Sequence, residues 1–203
     1  MKKIGFFGGT FDPPHFGHLN LAIQLQEIWG LDEVLFCPTF VSPFKMSNMP
    51  HAGPTARKKM VELAIASIPN MRLCDIELAK GSACYTIDTI KELYKSAKEM
   101  GEKIQIHLLL GEDHLNTLEK WKEIDELLEI APPLIGTRRD RAPGAFAPLS
   151  ESIEILVKKG LVTIPSMDIS STVLRERLRL RLFCGHLIPE SVLDYIYSNK
   201  LYL

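Results

Sequence analysis

Apolar and polar positions along the chain alternate between two periods. Ile4–Phe7 is a short, wholly apolar run closed by glycines, the pattern of a strand buried on both faces. Leu19, Ala22, Ile23, Gln26 and Trp29 recur at helical spacing, and Gly30 closes that segment. Glu33–Cys37 reads as a second strand, so the chain opens with a βαβ unit. The segment from Thr39 to Thr55 contains Pro43, Pro50 and Pro54 and reads as a long loop. Thr55 is placed to cap a helix over Ala56–Ile68. Further strands are predicted at Met71–Ile76, Ile104–Leu110, Leu134–Gly136 and Leu161–Ile164. Lys80–Ala83 reads as a turn. Helices are predicted at Thr86–Met100, His114–Leu118, Trp121–Ile130, Ser150–Lys159, Ser170–Leu182 and Pro189–Ser198, with Pro189 in a first turn. Strands that alternate with helices throughout predict an α/β fold with a parallel sheet covered on both faces. Two helices at the carboxyl end would form a small helical part, giving a division into 1–165 and 166–203.

Composition narrows this picture without redirecting it. The chain has 203 residues and a formal net charge of −1, which gives no electrostatic case for a nucleic acid or an anionic membrane. No apolar run approaches a membrane span. Lys2-Lys3 is followed by a glycine turn within a few residues, so no signal peptide is expected. Four cysteines lie far apart, without a C-x-x-C pair, and fit a reduced, cytoplasmic setting. Cys37 and Cys74 read as buried. His107 alternates within an apolar strand and reads as a core residue, while His51, His114 and His186 have no partner visible in the sequence.

The candidate chemistry is concentrated where the first strand meets the first helix. Gly8 and Gly9 allow a sharp turn and a close approach of the backbone to an anion. Thr10 adds a hydroxyl. His15 and His18, three apart, share one face at a helix start, where the macrodipole favours negative charge. An isolated H-x-x-H would read as solvent-facing or capping residues. Behind a strand and two glycines it reads as a phosphate site. No third metal ligand lies nearby in the sequence. Ser170, Ser171 and Thr172 at another helix start, with Arg175 one turn on, suit either ordinary capping or phosphate binding. Gly111 and Asp113 follow the central strand, where Asp113 suits either a ribose hydroxyl or a helix start. Trp121 suits either stacking on a flat ring or packing.

Gly8-Gly9-Thr10-Phe11-Asp12-Pro13-Pro14-His15-Phe16-Gly17-His18-Leu19 resembles the T/HxGH signature of the nucleotidyltransferase superfamily. More closely, it resembles the GGTFDPxHxGHL of bacterial nicotinate-nucleotide adenylyltransferases. Pro38–Lys45, Asp75–Glu77 with Cys84–Thr86, Gly111–Asp113 with Trp121, Ile169–Arg175, and Pro189–Tyr202 resemble further segments of that family in the same order.

The resemblance implies a Rossmann-like, doubly wound α/β fold that transfers the adenylyl group of ATP to nicotinate mononucleotide, in NAD biosynthesis. It implies Mg²⁺ carried by the ATP phosphates. His15, His18, Lys45 and Arg175 would serve catalysis. Gly8, Gly9, Thr10, Phe11, Gly111, Asp113, Arg138, Ile169, Ser170, Ser171 and Thr172 would join His15, His18 and Arg175 around ATP. Lys45, Tyr85, Thr86 and Trp121 would hold the acceptor. ATP and nicotinate mononucleotide are the expected partners, and the sequence leaves open whether the chain forms a homo-oligomer. Another small adenylyltransferase, such as one acting on pantetheine phosphate, and a non-catalytic nucleotide-binding module are the alternatives. Against the family's R-x-G-P-S-Y-T, this chain has Lys80-Gly81-Ser82-Ala83-Cys84-Tyr85-Thr86, with a cysteine in place of the serine and the glycine displaced.

Overall fold

The structure is a computed structural model that describes residues 1–41, 49–137 and 148–203. The strands are β1 (Lys2–Gly9), β2 (Glu33–Pro38), β3 (Met71–Leu73), β4 (Ile104–Gly111), β5 (Pro133–Thr137) and β6 (Leu161–Thr163). They form one sheet in the order β3-β2-β1-β4-β5-β6. The pairings β1–β4, β4–β5 and β5–β6 are parallel, with Ile4 beside Ile106 and Leu110 beside Ile135. This is the strand order of a Rossmann-like, doubly wound sheet, in which ligands gather beyond the carboxyl ends of the strands. The helices are α1 (Phe16–Trp29), α2 (Pro54–Ile65), α3 (Ile76–Lys80), α4 (Thr86–Glu99), α5 (Ile124–Ile130), α6 (Glu151–Gly160), α7 (Ser171–Arg179) and α8 (Glu190–Ser198).

The described chain falls into two compact units, neither of them continuous in sequence. The first comprises Met1–Phe7, Leu21–Leu35 and Tyr85–Ser166. Its core gathers strand residues such as Phe6, Ile106, Leu108 and Ile135 with Ile87, Ile90, Leu127 and Leu128 from helices, all fully or nearly fully buried. The second comprises Gly8–Asn20, Phe36–Cys84 and Met167–Leu203. Phe11, Phe36, Met60, Val61, Leu174, Leu178, Val192 and Ile196 are buried in it. The chain last passes between units at Ser166/Met167. The last segment is grouped with Gly8–Asn20 and Phe36–Cys84.

Several element boundaries depart from the sequence reading for local reasons. Gly53, not Thr55, precedes α2, because Pro54 supplies a fixed φ and lacks an N–H at the first helical position, and the helix stops at Ile65. Strand β3 ends at Leu73, and Ile76 opens the short helix α3. Lys80 closes α3, and Gly81 caps it in the left-handed region at φ 66°, with its N–H on the Leu78 carbonyl. That conformation accounts for the glycine at position 81. His114 and Leu118 lie in 3₁₀ turns (Glu112–Asn116 and Leu118–Lys120), and Trp121 lies before α5 in extended conformation. Helix α4 starts at Thr86 as expected, with Tyr85 as its cap, and ends at Glu99. Helix α7 ends at Arg179, short of Leu182, and Pro189 precedes α8 as its cap. Cys37 is buried, but Cys74 is only half-buried.

Candidate active site

In the second unit, the turn after β1 is built almost wholly on main-chain and buried groups. Phe11 is buried, tilted against Phe36 at 5.6 Å between ring centroids and edge-on to His18 at 5.0 Å. Phe11 thus forms a wall behind His18. His15 directly precedes α1, and its carbonyl accepts the N–H groups of His18 (2.9 Å) and Leu19 (3.3 Å). The His15 N–H donates to Nδ1 of His18 at 3.2 Å. An accepting Nδ1 leaves the proton of a neutral imidazole on Nε2, which makes His18 an Nε2–H donor. The two imidazoles stack at 3.7 Å, so the expected shared face is present. Any side chain at Gly17 would stand 3.0 Å from Nδ1 of His15. The glycine preserves that face.

Both histidines are neutral near pH 7. Burial lowers the pKa of His15 to about 4. Burial, and then the neighbouring His15, hold His18 well below its ordinary value. The sequence reading of two imidazole donors therefore becomes one of neutral donors, not imidazolium cations. The Nδ1 of His15 is buried without a hydrogen-bond partner among the described residues.

Helix α7 brings its start to the same turn. Ser170 caps the helix by position without spending its hydroxyl on a capping bond. The Ser171 hydroxyl donates to the Pro13 carbonyl at 3.0 Å. Arg175 donates from Nη1 to the Asp12 carbonyl at 2.8 Å and from Nη2 to Thr172 Oγ1 at 3.2 Å. The N–H of Ile169 bonds the Met167 carbonyl, shaping the approach to the helix. A segment with unsatisfied helix N–H groups, two further hydroxyls and a guanidinium is chemically suited to phosphate oxygens.

Three residues that organise this turn carry no role in the sequence reading. Arg57 is fully buried and donates to four carbonyls: Thr10 (2.9 Å), Thr39 (2.6 Å), Phe40 (2.9 Å) and Ala52 (3.1 Å). Burial pulls its pKa down, and the nearby Asp12 opposes that shift. Asp12 is itself 3% exposed and accepts from the N–H groups of His51 (2.7 Å) and Ala52 (3.0 Å) and from the Tyr202 hydroxyl (2.6 Å). Arg57 stands on the same helical stripe as the buried Met60, Val61 and Ala64. A charged residue in register with an apolar face is the one signal that points to it in the sequence.

The first unit carries the other predicted residues at or near its surface. Gly111 ends β4, and Asp113 follows in the 3₁₀ turn with its side chain 81% exposed. Tyr85 is exposed before α4, with the ammonium of Lys122 5.0 Å from its ring centroid. Thr86 begins α4, whose first N–H groups point out of the helix unpaired by its own carbonyls. Lys122 also bonds both oxygens of Asp88 at 3.1 Å. Trp121 is half-exposed, with its ring 5.9 Å from that of His114. In the second unit, Cys84 is buried and its thiol donates to the Ser82 carbonyl at 3.5 Å. Lys45 and Arg138 lie outside the described residues.

The strand order, the glycine turn and the paired histidines define a nucleotidyl-transferring class. The chain belongs to the cytidylyltransferase-like family, whose profile matches residues 6–177. It is similar to a probable nicotinate-nucleotide adenylyltransferase of Oceanobacillus iheyensis, with 39% identity over 202 residues, covering 100% of this chain and 97% of that one. It is 36% identical to nicotinate-nucleotide adenylyltransferase of Bacillus subtilis, covering 100% of this chain and 99% of that one. Among solved structures, it resembles Plasmodium falciparum nicotinic acid mononucleotide adenylyltransferase complexed with NaAD. That likeness has a TM-score of 0.71 at 23% identity and covers 100% of this chain and 98% of the other; it concerns the fold. No helix among the described residues is long and apolar enough to cross a membrane.

Proposed function

We propose that this chain transfers the adenylyl group of ATP to nicotinate mononucleotide, giving deamido-NAD and pyrophosphate in NAD biosynthesis. The 5′-phosphate of the acceptor attacks the α-phosphorus, a P–O bond forms there, and the bond to pyrophosphate breaks. The substrate brings its own nucleophile, so the protein's work is to orient and to stabilise charge.

The observation that carries this reading is the meeting, within the second unit, of the starts of α1 and α7 around the 10–15 turn. Gly8, Gly9, Thr10, Phe11 and Ile169 shape that turn and its approach. His15 and His18 donate to the triphosphate, with Nε2–H of His18 nearest the transferring group. Ser170, Ser171, Thr172 and Arg175 hold the remaining phosphate oxygens. In the first unit, Gly111 and Asp113 take the ribose, Trp121 stacks on the nicotinate ring, and Tyr85 with the N–H groups at Thr86 receives its carboxylate. Lys45 and Arg138 add positive charge to the phosphates. No cluster of three His, Cys, Asp or Glu suited to a metal occurs among the described residues. Asp12 spends its carboxylate on protein donors. Mg²⁺ enters as part of the substrate, on the ATP phosphates, as the family resemblance implies. The setting is cytoplasmic.

A pyrophosphate-release assay with a panel of acceptors tests the reading. Nicotinate mononucleotide is expected to turn over fastest. Preference for phosphopantetheine would overturn the pyridine assignment, and ATP binding without turnover on any acceptor would leave a binding module.

A further inference from the structure

Asp12 stands inside the phosphate-binding sequence, yet its carboxylate is not presented to a ligand. It is buried, and its described hydrogen bonds come from the protein: the His51 N–H on Oδ2, and the Ala52 N–H and the Tyr202 hydroxyl on Oδ1. Its main-chain carbonyl, attached to the same α-carbon as that side chain, accepts Nη1 of Arg175. The next carbonyl, that of Pro13, accepts the Ser171 hydroxyl. Arg175 is therefore indexed to the orientation of Asp12, and that orientation is held in part by Tyr202.

Tyr202 follows α8 in the left-handed region (φ 63°), in a turn anchored by the Leu201 N–H on the Ile196 carbonyl. Burial and the adjacent carboxylate hold its hydroxyl protonated, so it is a permanent donor at working pH. Arg57 fixes the other side of the same turn through the carbonyls of Thr10 and Ala52. Asp12 keeps its two N–H donors, one on each oxygen, if the hydroxyl is removed, so the fold tolerates that change while Oδ1 loses its shorter bond and the carboxylate is held less tightly.

We propose that Tyr202 is a positioning residue of the phosphate site, acting through Asp12 on Arg175. This rests on the reading of Arg175 as a phosphate-binding group. A small misplacement of a charged donor at a reacting phosphate costs rate out of proportion to the single hydrogen bond removed. It need not weaken ground-state binding.

The test is a cycle of Tyr202→Phe and Arg175→Ala in the full chain. Pyrophosphate release and thermal melting are measured for all four proteins. Tyr202→Phe is expected to lower kcat about tenfold, leave KM for ATP and the mononucleotide within about threefold, and melt within a few degrees of the parent. On the Arg175→Ala background, the same change is expected to lower kcat less than about twofold. An equal loss on both backgrounds overturns the route through Arg175. A lowered melting temperature with unchanged kcat per folded molecule makes Tyr202 a purely structural residue. Wild-type turnover in Arg175→Ala removes the phosphate role of Arg175 and this proposal with it. Wild-type turnover confined to Tyr202→Phe overturns the proposal and leaves that role standing.

Discussion

The turn after β1 in the second unit and the aromatic and acidic candidates of the first are held in opposite ways. In the second, His15 and Asp12 are buried, His18 stacks on His15 and meets Phe11 edge-on, and the carbonyls of the turn are claimed by Arg57, Ser171 and Arg175. In the first, Tyr85 and Asp113 are exposed, Trp121 is half-exposed, and neighbouring order comes from surface pairs such as Lys122 with Asp88 and Lys91 with Glu126. Exposed pairs of that kind contribute little to stability and are weakened by salt. Under the proposed function, the difference matches two physical demands. Charge developing on a transferring phosphate is stabilised only by donors already in place. Recognition of a flat ring and a carboxylate tolerates side chains that settle on the ligand.

The largest effect that separates the two regions is expected from His18→Ala. Losing a pre-placed Nε2–H donor should lower kcat roughly 10²–10³-fold, with the melting temperature within a few degrees. If specific activity of the folded fraction survives, the rigid region is not the catalytic one.

A smaller effect concerns pH. His15 is held neutral by burial with its pKa lowered to about 4, whereas in the unfolded chain it takes up a proton near 6.5. Between those values the unfolded state binds more protons, so stability falls as pH drops through that window. The contribution of His15 is at most about 3 kcal/mol. Urea unfolding of wild type and His15→Asn at pH 7.5 and pH 5 checks this: the variant is expected to lose less stability between the two. Equal losses would mean that His15 is not buried neutral.

The smallest effect is expected at the exposed region. Trp121→Ala should raise KM for the mononucleotide about three- to tenfold, the worth of one stacking interaction, with kcat nearly unchanged. A fall in kcat as deep as that of His18→Ala would erase the contrast between the units.

Much of this was legible in the sequence, and the gaps have a common physical origin. Gly8–His18 and Ile169–Arg175 announce themselves because their chemistry is local: a turn, a helix start and side chains a few positions apart. The alternation of strands and helices gave the sheet for the same reason. The partners of Arg57 and Tyr202 are not legible in the sequence, because those residues act over 47 and 190 positions, where no periodicity reaches. Thr55 looked like a cap by residue type, but Pro54 had already fixed the helix start. Cys84 stands where the family has a serine. In the fold its buried thiol still meets the Ser82 carbonyl, and the displaced Gly81 serves the end of α3.

The bond between Tyr202 and Asp12 has a consequence for synthesis. A ribosome delivers Asp12 190 residues before the hydroxyl that holds it, and 163 before Arg175. Through most of translation the growing chain carries Asp12 and Pro13 without Ser171, Arg175 and Tyr202, which bond them in the finished fold. Long-range pairings of this kind form late and slowly. The turn that carries Asp12 therefore acquires its full set of partners only once the turn after α8 has emerged.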